Sequence, residues 1–173
     1  LTGAAVSPAH VVVMGVAGCG KSAVGRRMAA LMGLPMIEGD DFHPAGNIRK
    51  MRDGIALTDA DRAGWLALLA SELARRPGGA VLACSALKQA YRNTLREAVP
   101  DLKFVFLSIE AAESLRRVAQ RPGHFYPPSL VESQFEALQD PGAEPGVLVL
   151  DGALPLDELA ARGAGWIVTS DRR

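Results

Sequence analysis

Residues 14–22 read Met14-Gly15-Val16-Ala17-Gly18-Cys19-Gly20-Lys21-Ser22, a G-x-x-x-x-G-K-S pattern set between two runs of different periodicity. Before it, His10-Val11-Val12-Val13-Met14 is short, apolar and β-branched, as a strand covered on both faces must be. After it, Ala23, Val24, Met28, Ala29, Leu31 and Met32 recur at helical spacing until Gly33 and Pro35 end the helix. A strand that enters a helix through so tight a turn commits the chain to an α/β unit. Gly15, Gly18 and Gly20 let the backbone curl its N–H groups around phosphate oxygens, and the helix adds the positive end of its dipole. In such a loop Lys21 reaches the β- and γ-phosphates and the Ser22 hydroxyl holds Mg²⁺. The expected nucleotide-binding stretch is therefore Gly15, Ala17, Gly18, Cys19, Gly20, Lys21, Ser22 and Ala23. An ordinary glycine-rich turn would have no reason to sit between these two flanks.

The remaining chain repeats the alternation. Leu34–Glu38, Ala80–Cys84, Leu102–Ile109 and Val147–Asp151 read as further buried strands, separated by helical patterns over 58–76, 88–96, 111–120 and 130–138. Residues 156–162 read as a last helix, and Trp166-Ile167-Val168 has no clear assignment. Five such strands predict one domain over 1–173, a parallel sheet with helices on both faces. With 49% apolar residues the chain can fill that core. Lys+Arg and Asp+Glu number 19 each, so no net charge recruits nucleic acid or an anionic membrane, and no apolar stretch approaches a membrane span. Residues 1–8 lack the marks of a signal peptide, and the expected compartment is the cytoplasm. Cys19 and Cys84 are not spaced for zinc; Cys19, at a helix start beside Lys21, reads either as a reactive thiol or as a small loop-filling residue.

The second strand ends in Gly39-Asp40-Asp41. Ligands of open α/β sheets gather at the carboxyl ends of strands, so Asp40 is expected to face the γ-phosphate. There a carboxylate can orient or deprotonate an acceptor hydroxyl, or hold a Mg²⁺ water. Residues 42–76 then read as a cover over an anionic small molecule, with Arg49, Lys50 and Arg52 in it and Thr58 capping its longer helix. Lys88, Tyr91, Arg92 and Arg96 fall at helical spacing near the third strand's carboxyl end. Arg116, Arg117 and Arg121 precede Pro122-Gly123-His124-Phe125, which suits a segment, 117–138, that closes over phosphates.

These motifs, in this order, resemble the gluconokinases, small sugar-acid kinases related to shikimate and adenylate kinases. The resemblance is carried by Gly15 to Ser22, by Gly39-Asp40-Asp41-Phe42-His43-Pro44 with Asn47-Ile48 and Lys50-Met51, and by Leu57-Thr58-Asp59 with Asp61-Arg62 and Trp65-Leu66. Cys84 to Lys88, Tyr91-Arg92, Arg117, Arg121 and Gly123-His124-Phe125 complete it. It implies a P-loop fold with strand order 2-3-1-4-5, a lid, a homodimer, and transfer of the γ-phosphoryl of ATP to D-gluconate with Mg²⁺. By the same resemblance Lys21, Asp40 and Arg121 are catalytic and Arg117 joins Arg121 on the phosphates. Asp40, His43, Arg49, Lys88, Arg92 and His124 would surround the substrate. Ala56 and Gly64 stand where the family commonly has proline, which loosens the cover. A kinase for shikimate or a nucleoside monophosphate is the nearest alternative, and the 39–65 segment speaks against it. A GTPase-type switch would want an Asn-Lys-x-Asp sequence, which does not occur.

Overall fold

The computed structural model describes residues 8–121 and 126–171. Its centre is a five-stranded, all-parallel sheet in the order β2-β3-β1-β4-β5. The strands are β1 (Ala9–Met14), β2 (Met36–Glu38), β3 (Gly79–Ala83), β4 (Lys103–Ser108) and β5 (Val147–Asp151). The helices are α1 (Lys21–Met32), α2 (Ala45–Arg52), α3 (Asp59–Ala74), α4 (Gln89–Ala98), α5 (Ala111–Ala119), α6 (Pro128–Ala137) and α7 (Leu156–Ser170). A 3₁₀ turn, Gly39–Phe42, joins β2 to α2.

Strand alternation sorts the core into two layers. Val11 and Val13 of β1 and Val105 and Leu107 of β4 point to one face, where Val24 and Met28 of α1 and Leu159 and Ile167 of α7 cover them. Val12 and Met14 with Phe104 and Phe106 point to the other face, under Trp65, Leu66, Leu69 and Leu73 of α3 and Leu95 of α4. Both faces being covered is why the central strands read as unbroken apolar runs.

Two boundaries differ from the sequence reading. The second strand begins at Met36, two residues later than the apolar run, because Leu34 N–H donates to Ala29 O at 3.0 Å and finishes the helix end instead. The last helix runs on to Ser170 and takes in Trp166-Ile167-Val168. Gly163 and Gly165 disguise it, since glycine is a poor helix former. The tertiary contact explains the first of them: a Cβ at Gly163 would come within 2.8 Å of Met28 Sδ, so glycine lets α7 lie close on α1.

Because β1 lies between β3 and β4, the loops after these strands leave the sheet together at one edge. Gly15 N–H donates to Ser85 O at 3.3 Å, tying the loop after β1 to the loop after β3.

Candidate active site

The loop between β1 and α1 has the backbone that its glycines permit. Gly15, Gly18 and Gly20 take φ of 150°, 75° and 95°. Within it Cys19 N–H donates to Val16 O at 3.2 Å and Ala17 N–H to Gln134 Oε1 at 2.6 Å. Among the described residues, the N–H groups of Gly18, Gly20, Lys21 and Ser22 have no hydrogen-bond partner within the protein. Four open amides at and just before the start of a twelve-residue helix are an arrangement able to receive an anion. Cys19 is 1% exposed and buried under the loop, so it fills space there rather than presenting a reactive thiol. Cys84 is buried as well, and burial pushes its thiol up to about 12.

Asp40 stands across a cleft of about 530 Å³ whose lining includes Lys21, Asp40, His43, Arg62, Arg121 and Gln134. Its placement starts at Gly39. A Cβ there would run into Ala83 O, so only glycine lets the end of β2 lie this close to β3. Trp65 Nε1–H donates to Gly39 O at 2.8 Å, and the Trp65 ring stacks on His43 with centroids 4.1 Å apart. Asn47 Nδ2–H donates to His43 Nδ1 at 3.2 Å, which leaves the neutral ring's proton on Nε2, 3.9 Å from Asp40 Oδ1. Burial holds the imidazole below its ordinary value; the Asp40 charge opposes that and Arg62 adds to it. His43 is therefore a neutral ring whose Nε2–H lies near, but beyond hydrogen-bond distance of, a carboxylate that is itself exposed to the cleft.

The cover is held by a polar knot. Thr58 and Asp61 form a reciprocal capping box at the start of α3, and Lys50 Nζ donates to both Asp61 oxygens at 2.8 and 2.9 Å. The Lys50 hydrogen bonds first, then the Thr58 amide, hold the Asp61 carboxyl down at about 2. Lys50 thus ties α2 to α3. Gly64 lies inside α3, where a Cβ would meet nothing within 4 Å; Ala56 lines the cleft.

Among the residues expected to surround the substrate, the structure brings Asp40 and His43 to the cleft, with Lys21 and Arg121. Arg49 is exposed on α2 and does not line the cleft; Arg52, one turn on, does. Lys88 is the residue before α4 rather than part of it, and it lines an adjoining hollow with its ammonium on Asp59 at 2.9 Å. Arg92 is not brought to the cleft at all. It is 0% exposed, donates to Ala86 O and Gln139 O, and makes three bonds to Glu144. The helical spacing of Tyr91, Arg92 and Arg96 is real, but Arg92 turns to the core side of α4 where Glu144 neutralises it. Arg117 grips the back of the phosphate loop, donating to Gly18 O at 3.2 Å and Gly152 O at 3.0 Å, with Glu113 on its Nε. His124 lies outside the described residues.

Sequence reasoning passed over Arg62 and Gln134. Arg62 lines both hollows and donates to Leu57 O at 2.7 Å. Its signal was available: it shares a face of α3 with Trp65, Leu66 and Leu69, which are buried. Gln134 shares a face of α6 with buried Leu130 and Val131, a fainter cue.

Comparison with known proteins follows the same lines. The shikimate kinase family model matches residues 17–140. A gluconokinase of Gluconobacter oxydans is 43% identical over 150 residues, covering 85% of this chain and 84% of its own. The thermosensitive gluconokinase of Escherichia coli is 43% identical over 136 residues, 77% of this chain and 73% of its own. The crystal structure of a gluconokinase from Sinorhizobium meliloti superposes with a TM-score of 0.88 at 45% identity, covering 95% of this chain and 94% of the other.

Proposed function

The chain belongs to the gluconokinase family, and we propose that it transfers the γ-phosphoryl group of ATP to the terminal hydroxyl of D-gluconate, giving 6-phospho-D-gluconate. The observation that carries the reading is that Ala17 and Lys21 of the phosphate loop border one cleft with Asp40, with Arg62 on its wall. Lys21 and the loop amides would hold the β- and γ-phosphates. Asp40 would orient the acceptor hydroxyl and take its proton as the phosphoryl group leaves ADP. Arg121, on the same cleft, would balance charge on the transferring group, and Arg117 would serve the nucleotide by holding the loop that receives it.

The cleft suits a sugar acid. Arg62 and Arg52 offer cationic partners for a carboxylate, and Trp65 and Met51 offer apolar walls to a carbon chain. A neutral sugar would leave those cations without a charged partner. Among the described residues no three His, Cys, Asp or Glu gather as a metal site. The Ser22 hydroxyl, at the start of α1 beside the phosphate loop, would be the protein's ligand to Mg²⁺. When bound, Mg²⁺ would supply charge neutralisation between the phosphates. The reading includes the family's homodimer, which sedimentation velocity would test.

The deciding measurement is ADP release in a coupled assay with gluconate, glucose, shikimate, AMP or no acceptor. Gluconate is expected to support turnover with kcat/KM at least about a hundredfold above glucose, the scale set by leaving a built anion site unpaired. Equal kcat/KM for the two sugars would overturn the reading.

A further inference from the structure

A phosphate loop without its anion has a physical problem: its N–H dipoles repel one another, and among the described residues one internal bond, Cys19 N–H to Val16 O, is little to hold them in place. In this chain three side chains from outside the loop do so. Ser114 Oγ–H of α5 donates to Ala17 O at 2.6 Å, with Ser114 fully buried. Arg117 of α5 donates to Gly18 O. Both hold carbonyls from behind. Gln134 of α6 alone holds an N–H, accepting from Ala17 at 2.6 Å, and it does so from inside the cleft that Asp40 also lines.

Gln134 is itself fixed. Its Nε2–H donates to Tyr126 Oη at 2.6 Å, which orients the amide so that Oε1 faces the loop. Burial pushes the Tyr126 hydroxyl up to about 12, so it stays a neutral acceptor at every ordinary pH. The amide therefore has one oxygen and one N–H already committed, the first to the loop and the second to Tyr126. A group so occupied has little left for a substrate; its effect passes through the loop.

We propose that Gln134 is a positioning residue for nucleotide: with Tyr126 behind it, it holds the Ala17 amide so that the open amides of Gly18, Gly20, Lys21 and Ser22 stay arranged for a triphosphate. The pairing of Gln134 with Ser114 across Ala17 clamps the loop from both sides, N–H from α6 and carbonyl from α5. This rests on the reading of the loop as an ATP site, though not on the identity of the acceptor. Losing the clamp takes from the Ala17 N–H, on the edge of the cleft, the one side-chain acceptor that fixes it, and the loop is then free to sample other arrangements. The binding-competent loop is then a fraction of the population, and nucleotide affinity falls by that fraction.

The test is titration calorimetry with a non-hydrolysable ATP analogue and Mg²⁺ on wild type, Gln134→Met and Tyr126→Phe, with KM for each substrate and the nucleotide-free Tm alongside. Methionine keeps the length and volume of glutamine and removes both hydrogen bonds. Analogue affinity and KM for ATP are expected to worsen about tenfold in Gln134→Met, the scale of one lost hydrogen bond with its partner stranded. Tyr126→Phe is expected to shift them about two- to threefold the same way, and KM for gluconate is expected to stay within about twofold in both. Unchanged analogue affinity in either variant would overturn the proposal. So would a change confined to the acceptor KM, which would make Gln134 a substrate contact, or a fall in Tm with affinity intact, which would make it merely structural. Because the analogue needs no acceptor, a wild type that binds it but ignores gluconate would defeat the proposed substrate and leave the role of Gln134 measurable.

Discussion

Asp40 separates chemistry from binding at the scale of one residue. It borders the cleft with Lys21, its carboxylate is exposed, and the neutral His43 ring stands 3.9 Å from it. Asp40→Asn keeps shape and most hydrogen bonding but removes the charge. If the carboxylate takes the acceptor proton, kcat should fall about 10²–10⁴-fold while analogue affinity stays near wild type. Recovery of the rate at high Mg²⁺ would reassign the carboxylate to the metal. A near-silent Asn would make it a turn residue, since Asn serves in turns as well as Asp does. This residue was legible in the sequence because a strand end beside a phosphate loop leaves it few other places to be.

The element that decides where Asp40 stands is α3, which is far from it in sequence. Trp65 reaches from the second turn of α3 to bond Gly39 O and to stack on His43, so the 3₁₀ turn is held from above by a single indole. Trp65→Phe keeps most of the apolar burial and deletes the donor. Gly39 O keeps the i→i+3 bonding of its own 3₁₀ turn, so losing the indole bond costs about 0.5–1.5 kcal/mol, readable as a shift in urea midpoint at unchanged slope. The same change should lower kcat beyond what the folded fraction explains, because the Asp40 turn loses its anchor. A stability loss with full activity per folded molecule would show that β2 and Gly39 alone hold the turn. The capping box was readable as Thr58 followed by acids, but the Lys50–Asp61 bridge that joins the two cover helices was not. It pairs residues eleven apart whose helices meet only after folding.

At the scale of the whole molecule, Arg92 shows how a charge can serve the fold while looking like a ligand. Its guanidinium is sealed beside Glu144, and Arg96 adds a further bond to the same carboxylate at 2.8 Å. Arg92→Met strands a mostly buried carboxylate and should cost about 3 kcal/mol, the low end for breaking a buried pair because Arg96 remains. KM for gluconate should stay at the wild-type value. A raised gluconate KM with unchanged stability would return Arg92 to the substrate site. The pH dependence has a definite sign. Burial works against the charged form of Glu144, but the hydrogen bonds from Arg92 and Arg96 outweigh it and hold its carboxyl below the ordinary value. The contribution is therefore present above the unfolded carboxylate range and lost as pH falls through the folded value, and Arg92→Met should flatten that acid limb.

The phosphate loop, the five strands and their parallel packing were determined by the sequence alone, and Asp40 was legible there as the acid just after the second strand, though α3 decides where it stands. Each depends on local periodicity or on a glycine whose conformation nothing else can adopt. The strand order rested on the family resemblance, since periodicity says which segments are strands and not which lie side by side. What only the tertiary structure decided was which cations remain free. Lys50, Lys88, Arg92 and Arg117 all read from the sequence as anion binders, and each is claimed by a partner: Asp61, Asp59, Glu144, and Glu113 with the loop carbonyls. Arg62 reads as one charge on a helix and proves to line the cleft. A long cationic side chain can reach several ångströms in any direction, so its spacing in the chain fixes its helix face and not its partner. That partner is chosen by whichever carboxylate or carbonyl the fold brings within reach.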